Sequence, residues 1–201
     1  AYGVAGVMTA LSDLGVEVPT EHLSWLTDAV ARLEHPAPGL FDGLTGIAYG
    51  LDRIGQVEQG HEVLGKVRAI STDLADDTLM SGLAGMVAGY AHFADRYQDQ
   101  ELADACLNLV DQLRARPLPE DKKADTGLYR GATGRAFAYL RAYHLCKDRD
   151  LLEAAAEAIR HDLTRLDWEP ESTAPLYELR TQARWPLPVL QSSGTGIALV
   201  I

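Results

Sequence analysis

The chain has 201 residues, 47% of them hydrophobic and 23% charged, a balance that fits one domain with a sizeable core and excludes a disordered linker. A formal net charge of −11 disfavours nucleic acid and anionic membrane as partners, because both are held largely by lysine and arginine against phosphate. No apolar run approaches the ~20 residues that span a bilayer, and the start lacks the basic-then-apolar order of a secretion signal, so a cytoplasmic protein is expected.

The first motif is Gly3-Val4-Ala5-Gly6. Val7, Met8, Leu11 and Leu14 follow it at helical spacing, and Gly15 is placed to end that helix in a left-handed turn. Pro19 and Thr20 open a second helix with the stripe Leu23, Leu26, Val30 and Leu33; Glu21, Asp28, Arg32 and Glu34 on its other faces predict an outer position. Pro36 and Pro38 stop it. The same order then recurs. Leu40-Phe41-Asp42-Gly43-Leu44-Thr45-Gly46 leads into Ile47, Leu51 and Ile54, and Val63, Leu64, Val67 and Ile70 form the next stripe. Gly82-Leu83-Ala84-Gly85 opens a third pair, with Met86, Val87, Tyr90 and Phe93, then Leu102, Cys106, Leu109, Val110 and Leu113 behind the expected cap Asp99. Residues 118–126 read as a charged surface loop. Gly131-Ala132-Thr133-Gly134 opens the fourth pair, with Phe137, Leu140, Tyr143 and His144, then Leu151, Leu152, Ala155, Ala158, Ile159 and Leu163. The span 167–190, with its prolines and the alternation Leu176-Tyr177-Glu178-Leu179, reads as an irregular insert with a short hairpin. Ser193-Gly194-Thr195-Gly196 is a fifth copy of the motif. Cys106 and Cys146 have no C-x-x-C or Cys-His spacing and are expected as two buried thiols in a reducing compartment.

Five motifs, starting near 3, 43, 82, 131 and 193, mark an internal repeat of helical pairs. Glycine costs about 1 kcal/mol relative to alanine inside a helix, so the glycines must serve geometry. The first is expected to permit backbone torsions closed to other residues, and the second to let a neighbouring helix approach. Repetition about an axis gives an inner ring of less polar helices inside an outer ring of amphipathic ones, with an open solenoid as the alternative. The expected fold class is therefore all-α, an α/α toroid. Both ends of the chain fall inside an element, so a piece of a larger protein is expected.

The residues before each first glycine lie at the N-terminal mouths of the inner helices and are expected to line one end of a central cavity. They are Ala1-Tyr2, Phe41-Asp42, Met80-Ser81, Tyr129-Arg130 and Gln191-Ser192. Apolar, aromatic, hydroxyl and oppositely charged groups mix there, and helix N-termini add partial positive charge suited to an oxyanion or enolate. Asp42 and Ser81 fit equally as plain helix caps.

The motifs around Gly43, Gly82 and Gly131, the last as Gly127-Leu128-Tyr129-Arg130-Gly131-Ala132-Thr133-Gly134, resemble those of the LanC-like lanthionine cyclases. The likeness is greatest to the C-terminal cyclase domain of class III lanthipeptide synthetases, the lyase–kinase–cyclase enzymes, and it runs along the whole chain, including Leu187-Pro188-Val189-Leu190. The resemblance implies an α/α toroid of about seven helical pairs, of which residues 1–201 hold four to five as one cyclase domain, with lyase and kinase domains upstream. It implies Michael-type addition of a cysteine thiol of a dehydrated precursor peptide to dehydroalanine or dehydrobutyrine, giving the thioether lanthionine, or labionin when a carbon nucleophile also joins. Zinc-dependent relatives have a cysteine where this chain has Gln191 and a histidine where it has Arg130. Glutamine cannot supply the thiolate that zinc prefers, so zinc is not expected, and ATP or GTP with magnesium belongs to the separate kinase domain.

Without zinc, a cysteine with a pKa near 8.5 is only a few per cent thiolate at neutral pH and needs activation. Arg130 is the candidate to favour the thiolate or enolate, Asp42 or Tyr129 to handle protons, and Phe41, Ser81, Gln191 and Ser192 to bind substrate. The expected partners are the precursor peptide and the upstream domains, and a homodimer is left open. Two other readings compete: a cyclase-like domain that binds peptide or scaffolds a synthetase without chemistry, and another α/α toroid such as a glycosidase or terpenoid cyclase. A glycosidase requires paired carboxylates, whereas Asp42 is the only one at the mouths, so that reading ranks third.

Overall fold

A computed structural model of the chain describes residues 3–70, 74–120, 124–167, 177–178 and 200. Among these residues eight helices form four successive pairs: α1 (Val4–Asp13) and α2 (Thr20–Ala31), α3 (Leu44–Arg53) and α4 (Val57–Arg68), α5 (Leu83–Tyr97) and α6 (Gln100–Arg114), α7 (Ala132–Cys146) and α8 (Asp150–Leu163). One two-residue antiparallel pair, β1 (Leu166–Asp167) with β2 (Tyr177–Glu178), sets Leu166 opposite Glu178 and Asp167 opposite Tyr177. The expected hairpin is thus present. The fifth motif, with Gln191 and Ser192, lies outside the described residues.

Local chemistry sets the helix ends. Gly15, at φ 78°, takes the left-handed turn expected after α1. Asp99 caps α6 by accepting from the Leu102 amide at 3.0 Å. Gln98 and Lys147 adopt left-handed torsions where α5 and α7 end.

The odd-numbered helices pack on one another in order, α1 on α3, α3 on α5 and α5 on α7, while α4, α6 and α8 cover α3, α5 and α7 from outside. This is the all-α, double-layered arrangement of an α/α toroid. The core follows the inner layer. Every residue of α5 from Leu83 to Ala91 is buried, and Phe93 and Ala94 continue the buried run. The outer helices each bury one stripe, as in Leu102, Cys106, Leu109, Val110 and Leu113 of α6.

Three expectations need correction. Only Cys106 is a buried thiol; Cys146, the last residue of α7, is exposed, and neither is in a disulfide. Gly3, at φ 106°, does take the torsions expected of a first motif glycine, but Gly43, Gly82 and Gly131 do not: their φ of −129°, −116° and −90° are open to any residue. Space is what they supply. A Cβ on Gly43 would overlap the Ala37 carbonyl, and one on Gly82 the Asp76 carbonyl. The second glycine accommodates loop backbone rather than a neighbouring helix, because a Cβ on Gly85 would lie 2.5 Å from the Leu40 nitrogen and 2.6 Å from the Leu79 oxygen. The motif is therefore a device for folding each mouth loop tightly onto the next.

Candidate active site

Three consecutive mouth loops are joined by main-chain hydrogen bonds. The amides of Leu40 and Phe41 donate to the carbonyls of Leu79 and Met80 at 3.3 and 3.1 Å, and the Met80 amide donates to the Tyr129 carbonyl at 2.9 Å. This arrangement brings side chains from separate units together. The rings of Phe41 and Tyr129 lie 4.2 Å apart between centroids at an interplanar angle of 31°. The Ser81 hydroxyl donates to Asp42 Oδ2 at 2.6 Å. Neither residue is a helix cap, for the N-terminal positions of α3 and α5 are Gly43 and Gly82, without side-chain capping bonds. Arg130 sits exposed beside Tyr129. Five of the seven proposed site residues thus fall on one connected rim, and the other two lie outside the described residues.

Below the rim, the inner helices line a half-open cavity of about 400 Å³. Each contributes residues at helical spacing: Gly6 and Ala10 from α1, Gly46 and Gly50 from α3, Ala88 and His92 from α5, Phe137 and Arg141 from α7. Leu40 and Phe41 connect it to the rim. The volume lies in the range of small-molecule pockets, about 300–1,000 Å³.

The lumen is lined by polar side chains that the glycine motifs do not announce, Asp13, His92 and Arg141. Asp13, Arg53, His92 and Arg141 each lie ten residues after the first glycine of their motif and so repeat at the same spacings as the motifs themselves. Asp13 pairs with Arg53 at 2.8 Å. His92, with 16% of its side chain exposed, places Nε2 2.9 Å from Oδ2 of the fully buried Asp52. Asp52 also accepts from the Tyr97 hydroxyl and lies 3.1 Å from Arg96 Nε. Burial alone would push the Asp52 carboxyl up, but the hydrogen bonds from Tyr97 and His92 and the charge of Arg96 outweigh it and hold it below the usual carboxylate range. Tyr49 packs edge-on against His92 with centroids 4.6 Å apart.

A second buried carboxylate serves structure. Asp162, near the end of α8, accepts from the amides of Gly127, Ala132 and Thr133 at 2.9, 3.2 and 2.8 Å and from the Thr133 hydroxyl at 2.7 Å, so an outer helix caps the inner helix of its own pair. Its signal in the sequence is its register, four residues after Ala158 on the buried stripe of α8.

Arg130 has no lone pair to give a metal, and among the described residues no three His, Cys, Asp or Glu side chains converge to hold an ion. Also among them, no helix is long and apolar enough to cross a membrane.

Comparison with known proteins matches the Lanthionine synthetase C-like protein family over residues 73–179, more than half of the chain. The chain belongs to that family. A curated relative, "Probable SapB synthase" of Streptomyces coelicolor (strain ATCC BAA-471 / A3(2) / M145), is 28% identical over 211 aligned positions that cover 100% of this chain and 22% of the relative. The chain therefore spans about a fifth of that relative's length. The family match covers α5 to α8, the rim residues Ser81, Tyr129 and Arg130, and His92 and Arg141 of the lumen.

Proposed function

We propose that this chain closes thioether rings as the cyclase domain of a class III lanthipeptide synthetase, adding a peptide cysteine thiol to dehydroalanine or dehydrobutyrine without zinc. The observation that carries the reading is the rim, where three successive motifs contribute the Phe41–Tyr129 ring pair, the Ser81–Asp42 hydrogen bond and the exposed cation Arg130. In this reading Arg130 stabilises the thiolate, or the enolate that forms when sulfur bonds to the β-carbon, and Asp42 or Tyr129 passes protons. Phe41 and Ser81, with Gln191 and Ser192 of the fifth motif, hold the peptide. Gln191 offers no thiolate for zinc and Arg130 no ligand, so the reaction is written with protein groups alone. The substrate is the dehydrated core of a precursor peptide, supplied in the cytoplasm by lyase and kinase domains of the same synthetase, where ATP or GTP with magnesium is used. Labionin formation is the variant in which a carbon nucleophile makes a second bond.

The test is ring formation on a dehydrated peptide by the intact synthetase, read by mass spectrometry after thiol alkylation. Arg130→Ala is expected to impair cyclisation of the dehydrated peptide, while phosphorylation and elimination continue. A wild-type rate no faster than the protein-free control would replace this reading with a non-catalytic, peptide-binding one.

A further inference from the structure

The rim is not where the lumen is best equipped for proton transfer. Among the described rim residues the groups offered for proton transfer are a carboxylate and a phenol, Asp42 and Tyr129. The lumen supplies an imidazole, the side-chain type most often used as a general base. His92 lines the cavity roughly 14 Å below the rim, taking 1.5 Å per residue along α5 from Leu83. Its Nε2 is held on buried Asp52, and its ring is fixed from the side by Tyr49. A cavity-lining histidine oriented by a buried carboxylate is the arrangement that general-base catalysis requires. Arg141, the tenth residue after its motif as His92 is after its own, comes from α7, which packs on α5, and lines the same cavity.

We propose that the addition takes place in this lumen, with His92 as the catalytic residue that accepts the thiol proton and Arg141 as the cation facing the developing negative charge. The proposal rests on the cyclase reading and moves its chemistry from the rim into the lumen. The thiol S–H bond breaks and its proton passes to His92; the sulfur lone pair forms the C–S bond at the β-carbon; the alkene electrons move into the enolate, which Arg141 faces. The α-carbon then takes the proton back from His92, so nothing is gained or lost. Asp52 is a positioning residue that fixes the imidazole, and the rim groups admit and orient the peptide.

The experiment compares His92→Gln, Asp52→Asn, Arg141→Met and Arg130→Ala in the intact protein, with kcat and KM for ring formation on one dehydrated peptide. His92→Gln is expected to lower kcat about 100-fold or more with KM within about twofold, Asp52→Asn and Arg141→Met to lower kcat with KM unchanged, and Arg130→Ala to act mainly on KM. A wild-type kcat in His92→Gln beside a dead Arg130→Ala would overturn the proposal and leave the cyclase reading standing. A wild type no faster than the protein-free control would remove both. Should His92→Gln fail to fold, carbethoxylation of the wild type with diethyl pyrocarbonate decides: the dehydrated peptide is expected to protect His92 and leave the exposed His22 reactive, and equal labelling of His92 with and without peptide would sink the proposal.

Discussion

Asp52 shows how one buried charge is made tolerable. Its three partners come from α5, so the carboxylate fastens α3 to α5 while it orients His92. Because folding lowers its pKa, its stabilising contribution is present above the ordinary value of 3.8 and is lost as pH falls through the lower folded value. Acid unfolding followed by circular dichroism is therefore expected to be steeper below pH 3.8 in the wild type than in Asp52→Asn, which has no carboxyl there to protonate. The two cysteines make a second contrast. Burial pushes the Cys106 thiol up to about 12, whereas Cys146 is exposed. At pH 8 a thiol reagent is expected to label Cys146 in the native protein and to reach Cys106 only after denaturation, as peptide mapping will show.

At the scale of elements, the helices and their order were legible because apolar periodicity, prolines and the Asp99 cap act locally and agree with one another. The function of the glycines was not, because the atoms they make room for belong to loops brought close only by folding. Gly85→Ala is expected to cost about 1–3 kcal/mol, the scale of overpacking, since its Cβ would press on the backbones of Leu40 and Leu79. Gly65 is the control: it lies exposed in α4 with nothing within 4 Å of an added methyl, and Gly65→Ala should stabilise by roughly 0.4–1 kcal/mol. Thermal melts of the two variants check both signs. His92 and Arg141 were within reach of the sequence by counting ten residues from each first glycine, but a lone polar residue late in a helix gives no local sign that it faces a cavity. Asp52 and Asp162 were harder, since each lies on a stripe otherwise filled by apolar residues, and only the packed structure supplies the donors that make a carboxylate acceptable there.

For the molecule as a whole, the chain of main-chain bonds from Leu40 through Met80 to Tyr129 has a measurable signature. The amides of Leu40, Phe41 and Met80 lie in loops, yet they are expected to exchange with solvent as slowly as the α5 core and as one cooperative set, which native-state hydrogen exchange resolves. Rapid, independent exchange would mean that the rim is held by its side chains instead. The same bonds have a consequence for how such a protein changes over generations. A rim position fixed through its backbone is a socket whose side chain is free to be exchanged, so an arginine, serine or aspartate can be replaced there without rebuilding the scaffold. The cluster around His92 offers no such freedom, because Asp52, His92, Tyr97 and Arg96 hold one another and a change in one strands the rest. New chemistry would then enter at the rim one substitution at a time, while that cluster would have to change as a group or stay as it is.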